Sequence, residues 1–279
     1  NNCGVGIYFE KVENCRITNN LISTIRDNHI KFGAGGTTQK NNLITNNIFE
    51  TQSTTAGIAL VVVSIGASCD NLLIRGNIFR DFTGTSAIKI ESSASNPLGI
   101  IIAENLFDTI TTSNNYLLNL ANARSIINVT NNSVISLTGN LMTASDCSVV
   151  ANTFSTDFGT STVAPLQITQ VLTPPVFASN IVSISTNRAI AFSGSALICS
   201  NYILTQAMTV TGINDGDGLM IKDNFISLLG SVNTTTSLSI DTSADFGARH
   251  TISGNILKLS ESSVGLSLSA GLFVVSDNI

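Results

Sequence analysis

The side chains best equipped for chemistry are few and widely spaced, for only 11% of the chain is charged, with two His and no Trp. Six of them recur at equivalent places in similar segments. Tyr8 and Glu10 fall in Gly6-Ile7-Tyr8-Phe9-Glu10, Lys31 in Ile30-Lys31-Phe32, Lys89 and Glu91 in Ala87-Ile88-Lys89-Ile90-Glu91, and Asn119 in Leu118-Asn119-Leu120. Apolar residues alternate with them, so a strand buries one set and presents the other on one face. An aromatic plate, hydrogen-bonding carboxylates and lysines on one face suit a saccharide, the lysines an acidic one. The plainer reading is the solvated face of a sheet.

Catalysis asks more of these residues. Glycoside hydrolysis uses two carboxyl groups roughly 5–9.5 Å apart. If each segment is one turn of a stack, Glu10 and Glu91 are three strands apart, about 14 Å. Asn214, Asp215 and Asp217 resemble the start of a calcium loop, yet the later ligands and the closing Glu are missing. A Gly-rich turn fits them better, so no cofactor is expected, with calcium the one left open. His29 and His250 are expected at surface or turn positions. Cys3, Cys15, Cys69, Cys147 and Cys199 are odd in number and lack CxxC spacing, which suits small interior hydrophobes. Free thiols also favour assembly in a reducing compartment over export. Three matches to the glycosylation pattern, at Asn128, Asn131 and Asn233, are expected by chance in a chain this rich in Asn, Ser and Thr.

What must position these residues is a repeat. An apolar strand ends in Asn, and the residue two further on is nearly always large and apolar; Leu72-Leu73-Ile74-Arg75-Gly76-Asn77-Ile78-Phe79 is the clearest copy. The Asn falls at 20, 47, 77, 105, 132, 152, 180, 201, 224, 255 and 278. A period of about 20–31 residues along the chain marks a solenoid. Period-two alternation makes its segments strands. The fold class is therefore all-β, a solenoid of about eleven coils. Equivalent side chains then stack about 4.8 Å apart, so that the Asn amides bond from coil to coil and Phe49, Phe79 and Phe107 form an interior column.

This pattern of apolar strand, Asn, any residue and apolar residue resembles the right-handed parallel β-helix of the pectate-lyase-like superfamily. The resemblance covers the chain from Ile17-Thr18-Asn19-Asn20 to Val275-Ser276-Asp277-Asn278. It implies a right-handed parallel β-helix. It leaves function open, since that fold carries lyases, hydrolases, epimerases, phage tailspikes and adhesins. Lyases of the fold use carboxylate-bound calcium and a basic Arg or Lys, and no Asp-rich row faces an Arg here. The Asp-pair and Gly-His-Gly motifs of its polygalacturonases are absent.

Composition narrows the rest. The net charge of −5 argues against nucleic acid. The longest apolar run, Ile58 to Ile65, is too short to span a membrane. A period that never breaks predicts one domain over residues 1–279, excised from a longer chain. Alternation predicts an outward row of Tyr8, Lys31, Ala59, Lys89, Asn119, Met142, Gln167, Ala191, Thr209, Ser239 and Ser267. A second predicted row is apolar: Leu21, Ile48, Ile78, Leu106, Ile181, Tyr202, Phe225 and Ile256. It marks a self-association surface, such as a trimer's, or is covered by loops. The sequence thus favours a structural, receptor-binding β-helix of a phage tailspike or surface fibre, virion-borne or extracellular, contacting cell-surface polysaccharide. A polysaccharide lyase or glycoside hydrolase using Glu10, Lys31, Lys89 and Glu91 is the alternative, and an adhesin or passenger domain without catalysis is a third.

Overall fold

The computed structural model describes residues 4–23, 25, 27–33, 39–50, 61–66, 69–91, 99–121, 127–157, 164–171, 173–185, 189–205, 207–211, 218–228, 238–241, 249–259, 266–269 and 272–279. Among the described residues there is no helix, and the chain forms a parallel β-solenoid. One 11-stranded sheet runs in chain order from Arg16–Thr18 through Leu43–Thr45, Leu73–Arg75 and Ile100–Ala103 to Arg249–Ser253 and Leu272–Ser276. A 20-stranded sheet carries most of the rest, and Gln39–Lys40 with Cys69–Asp70 forms a two-stranded one. In the larger of these Leu21–Ser23 pairs with Ile48–Glu50, and Asn28–Phe32 pairs with Val61–Ile65, each strand beside its copy one turn on. The first and last strands of the 11-stranded sheet are each paired on one side only, and complete turns are fewer than the eleven coils expected.

Why the chain turns where it does is written in two consecutive residues. The residue before each repeat Asn is left-handed at every copy: Asn19, Asn46, Gly76, Glu104, Asn131, Ala151, Ser179, Ser200, Asp223, Gly254 and Asp277, with φ from 54 to 66°. One left-handed residue swings the chain from one sheet to the other without a loop. For a residue with a Cβ this costs on the order of 1 kcal/mol.

The Asn that follows offsets that cost. The Oδ1 of Asn132 accepts from the backbone N–H and the Nδ2 of Asn105, both at 3.0 Å. Its own Nδ2 donates to the Ile102 carbonyl at 2.8 Å and to Asn152 Oδ1 at 3.0 Å. The same pattern links Asn20 to Asn47 and continues to Asn278. From Asn47 to Asn255 these amides are buried.

The ladder sets the register of what lies beside it. Phe49 stacks on Phe79 at 4.9 Å and Phe79 on Phe107 at 4.8 Å between ring centroids, forming the expected column. Ile44, Ile74, Ile102 and Val129 face it from the other sheet, fully buried. His29 meets Phe49 edge-on at 5.9 Å.

Replacing Asn132 by Leu strands the N–H of Asn105, one of its two Nδ2 hydrogens and the Ile102 carbonyl in the interior, while the other Nδ2 hydrogen keeps the Ile74 carbonyl. At about 1–3 kcal/mol for each orphaned group, the variant should lose at least about 3 kcal/mol in urea unfolding. Asn41→Gly, in the short exposed ladder of Asn14, Asn41 and Asn71, should lose less than about 1 kcal/mol. Equal losses would show that burial does not set the ladder's worth.

Candidate functional site

The outward row forms as a continuous line of Cα partners. Tyr8 pairs with Lys31, Lys31 with Ser64, Ser64 with Lys89, Lys89 with Asn119 and Asn119 with Thr143. Two expected members differ. Ser64 stands where Ala59 was placed, and Ala59 lies outside the described residues. Thr143 faces out, whereas Met142 is fully buried.

The displacement of Met142 has a geometric cause. Leu141 and Met142 both point inward, as do His29 and Ile30, Val62 and Val63, Ala87 and Ile88, and Leu117 and Leu118. Two inward residues in succession break the alternation and fold the sheet toward the core at that line. The outward residues on either side of the bend then converge. A groove results, with Asn28, Val61, Ser86 and Asn115 along one wall and Lys31 and Lys89 on the other. It encloses about 220 Å³.

Lys31, Lys89 and Glu91 are brought together here, and Asn119 follows one strand on. Lys89 Nζ lies 2.8 Å from Glu91 Oε2, and the buried Ser64 hydroxyl donates to Glu91 Oε1 at 3.0 Å. Among the described residues Lys31 has no carboxylate partner. Further along, Tyr116 reaches from one row to the other. Its hydroxyl donates to the Ala164 carbonyl at 3.0 Å and lies 3.3 Å from Gln167 Oε1, and burial raises its pKa.

Tyr8 and Glu10 stand beyond this cluster. Tyr8 is exposed, and its hydroxyl lies so close over Gly33 that a Cβ there would collide with it. The backbone bonds from Gly33 to Phe9, Gly66 to Phe32 and Glu91 to Ile65 set Glu10 three strands from Glu91. At about 4.8 Å per strand their Cα atoms are about 14 Å apart, and the Glu91 carboxylate is held on its own side by Lys89 and Ser64, which weighs against the roughly 5–9.5 Å carboxyl separation of a hydrolytic pair.

Sequence reasoning missed Asn28, Ser64, Ser86, Asn115 and Tyr116. The signal for them is a pair of consecutive apolar residues at one place in successive coils, Val62-Val63, Ala87-Ile88, Leu117-Leu118 and Leu141-Met142, which marks a bend.

The expected apolar row is present and lies at the surface. Leu21, Ile181, Tyr202 and Ile256 are 61, 52, 44 and 45% exposed, and Ile48, Ile78, Leu106 and Phe225 are half-buried. Tyr202 stacks on Phe225 at 4.7 Å and 4°. Ser133 and Thr153 interrupt the row in its middle.

Both histidines are fully buried, contrary to their expected surface or turn positions. The Nδ1 of His250 accepts from the Leu219 N–H at 3.2 Å. His29 Nε2 faces the Glu50 carbonyl at 3.3 Å, and burial lowers its pKa to about 4. Cys69 and Cys147 are buried thiols pushed up to about 12 by desolvation, and Cys15 and Cys199 are also free. Cys3, the Asn214 to Asp217 loop and Asn233 lie outside the described residues. Among the described residues no three His, Cys, Asp or Glu side chains gather as metal ligands.

No family model, no curated protein and no solved structure matches this chain.

The His29 shift carries a pH dependence. Unfolded, His29 takes up a proton near its ordinary value of 6.5; folded, it does so only near 4. Its contribution is therefore intact above about pH 6.5 and is lost as pH falls toward 4, on the order of 3 kcal/mol in all. Urea unfolding between pH 7 and 4 should show this loss, and His29→Leu should remove much of it. An unchanged acid limb in that variant would place the titration elsewhere.

Proposed function

We propose that this chain is a structural and receptor-binding β-helix of a phage tailspike or comparable surface fibre, of the right-handed pectate-lyase-like kind, which holds cell-surface polysaccharide without cleaving it. The observation that carries this reading is the polar groove lined by Lys31 and Lys89 on a stack held in register by buried amides. A rigid ladder keeps recognition groups at fixed spacing, so little ordering entropy is lost when an extended glycan lies along it. Tyr8 and Asn119 extend the contact line on either side of the groove. The three-strand separation of Glu10 and Glu91 weighs against hydrolysis. The protein acts on a virion or outside the cell.

The exposed apolar row is the face through which copies associate as a trimer. A second copy is the partner that suits it, because its row repeats with the same strand spacing.

Two experiments test this reading. Wild-type protein should co-sediment with at least one member of a panel of neutral and acidic bacterial surface polysaccharides, releasing neither reducing ends nor unsaturated sugars. Tyr8→Ala combined with Lys31→Ala should weaken retention at least about ten-fold, or about 1.4 kcal/mol. Product release would overturn the non-catalytic assignment, and undiminished retention in the double variant would move the site off this face. In light scattering, Ile181→Asp with Ile256→Asp should reduce a multimeric mass to that of one chain with unchanged circular dichroism. An unchanged mass would remove the apolar row as the interface.

A further inference from the structure

We infer that the groove seats a single monoanionic group carried on a sugar, a carboxylate or a sulfate ester. This rests on the polysaccharide-binding reading and names the chemistry that the groove selects.

Three observations converge. The first is Ser86, which is fully buried and borders the groove, and whose Oγ has no hydrogen-bond partner among the described residues. Buried hydroxyls are nearly always bonded, and an orphan at a groove wall is explained by a ligand atom that accepts a hydrogen bond from it. Its strand neighbour on one side is Val61, which offers no side-chain acceptor, and on the other side the register places Tyr116, whose hydroxyl donates to the Ala164 carbonyl.

The second is charge. Lys31 and Lys89 flank Ser64, one strand to each side, so their Cα atoms are about 10 Å apart. Glu91 already holds Lys89 through a 2.8 Å contact. One positive charge is left over, centred on Lys31. A single negative charge balances it, whereas a phosphate dianion would bring a surplus charge against Glu91 in a half-enclosed site, where repulsion is weakly screened.

The third is size. About 220 Å³ is below the usual range for drug-sized ligands and suits one sugar unit with its acidic group. The anion accepts from the Lys31 ammonium and the Ser86 hydroxyl, and Asn28 and Asn115 border the sugar's hydroxyls. The remaining sugars run along the outward row.

Calorimetric titration of the whole chain at pH 7.5 tests this with four probes: glucose, glucuronate, glucose 6-sulfate and glucose 6-phosphate. Glucuronate or glucose 6-sulfate should bind at least about ten-fold more tightly than glucose, and the tighter of the two identifies the source of the anion. Glucose 6-phosphate should bind more weakly than the sulfate ester. Lys31→Met should lower the preferred probe's affinity about ten-fold. Ser86→Ala should lower it several-fold while leaving the unliganded melting temperature unchanged or raised, because no native bond is lost; a purely structural Ser86 would leave affinity untouched. Glu91→Gln should bring the phosphate up to or above the sulfate ester. Equal affinity for glucose and both monoanions, an unaffected Ser86→Ala, or an unmoved phosphate-to-sulfate ratio in Glu91→Gln would overturn the inference. If polysaccharide still co-sediments while these anion effects are missing, only this inference falls. If co-sedimentation fails as well, the binding reading falls with it.

Discussion

The bond from one Asn amide to the next is the constraint on which the rest depends. Each interior amide accepts twice from the preceding copy and donates to the next copy and to a strand carbonyl. A net of about 0.5–1.5 kcal/mol per bond is enough to offset the left-handed residue beside it, which costs on the order of 1 kcal/mol. The comparison also explains why that residue varies freely among Asn, Gly, Glu, Ala, Ser and Asp. The chain tolerates strain at one position because the neighbouring position is over-satisfied.

Fixing the amide fixes the register on both sides of it. The strand before the Asn aligns Ile44, Ile74 and Ile102, and the strand after it aligns Phe49, Phe79 and Phe107. Interior columns follow, and the core is filled by like on like. His29 extends the Phe column only as a neutral ring, and Cys147 fills its site only as a thiol, because burial penalises the charged form of each.

Outward positions are released from this discipline. Exposed pairs such as Arg75 with Glu104, bidentate yet roughly half exposed, add little to stability. The surface is therefore free to differ from coil to coil. Lysines and Glu91 gather on one face of the early coils, and the apolar row runs along another from Leu21 to Ile256, broken at Ser133 and Thr153. The groove arises where these free positions meet a bend that the core imposes, so its shape comes from the interior and its chemistry from the surface.

The sequence by itself determined the parallel solenoid, the Asn ladder, the Phe column and the common face of Tyr8, Lys31, Lys89 and Asn119. Each is a one-dimensional periodicity, and stacking converts a period along the chain directly into neighbours in space. Tertiary structure decided the rest. Strict alternation put Met142 outside, and both histidines were expected at surface or turn positions, whereas a double inward step buries Met142 and the core encloses the rings. It also left Ser86 unremarked, because a serine among small polar residues gains meaning only once the sheet folds around it. Whether an outward residue lies on a flat face or in a cleft depends on the angle between strands, and that angle is set by what packs beneath them.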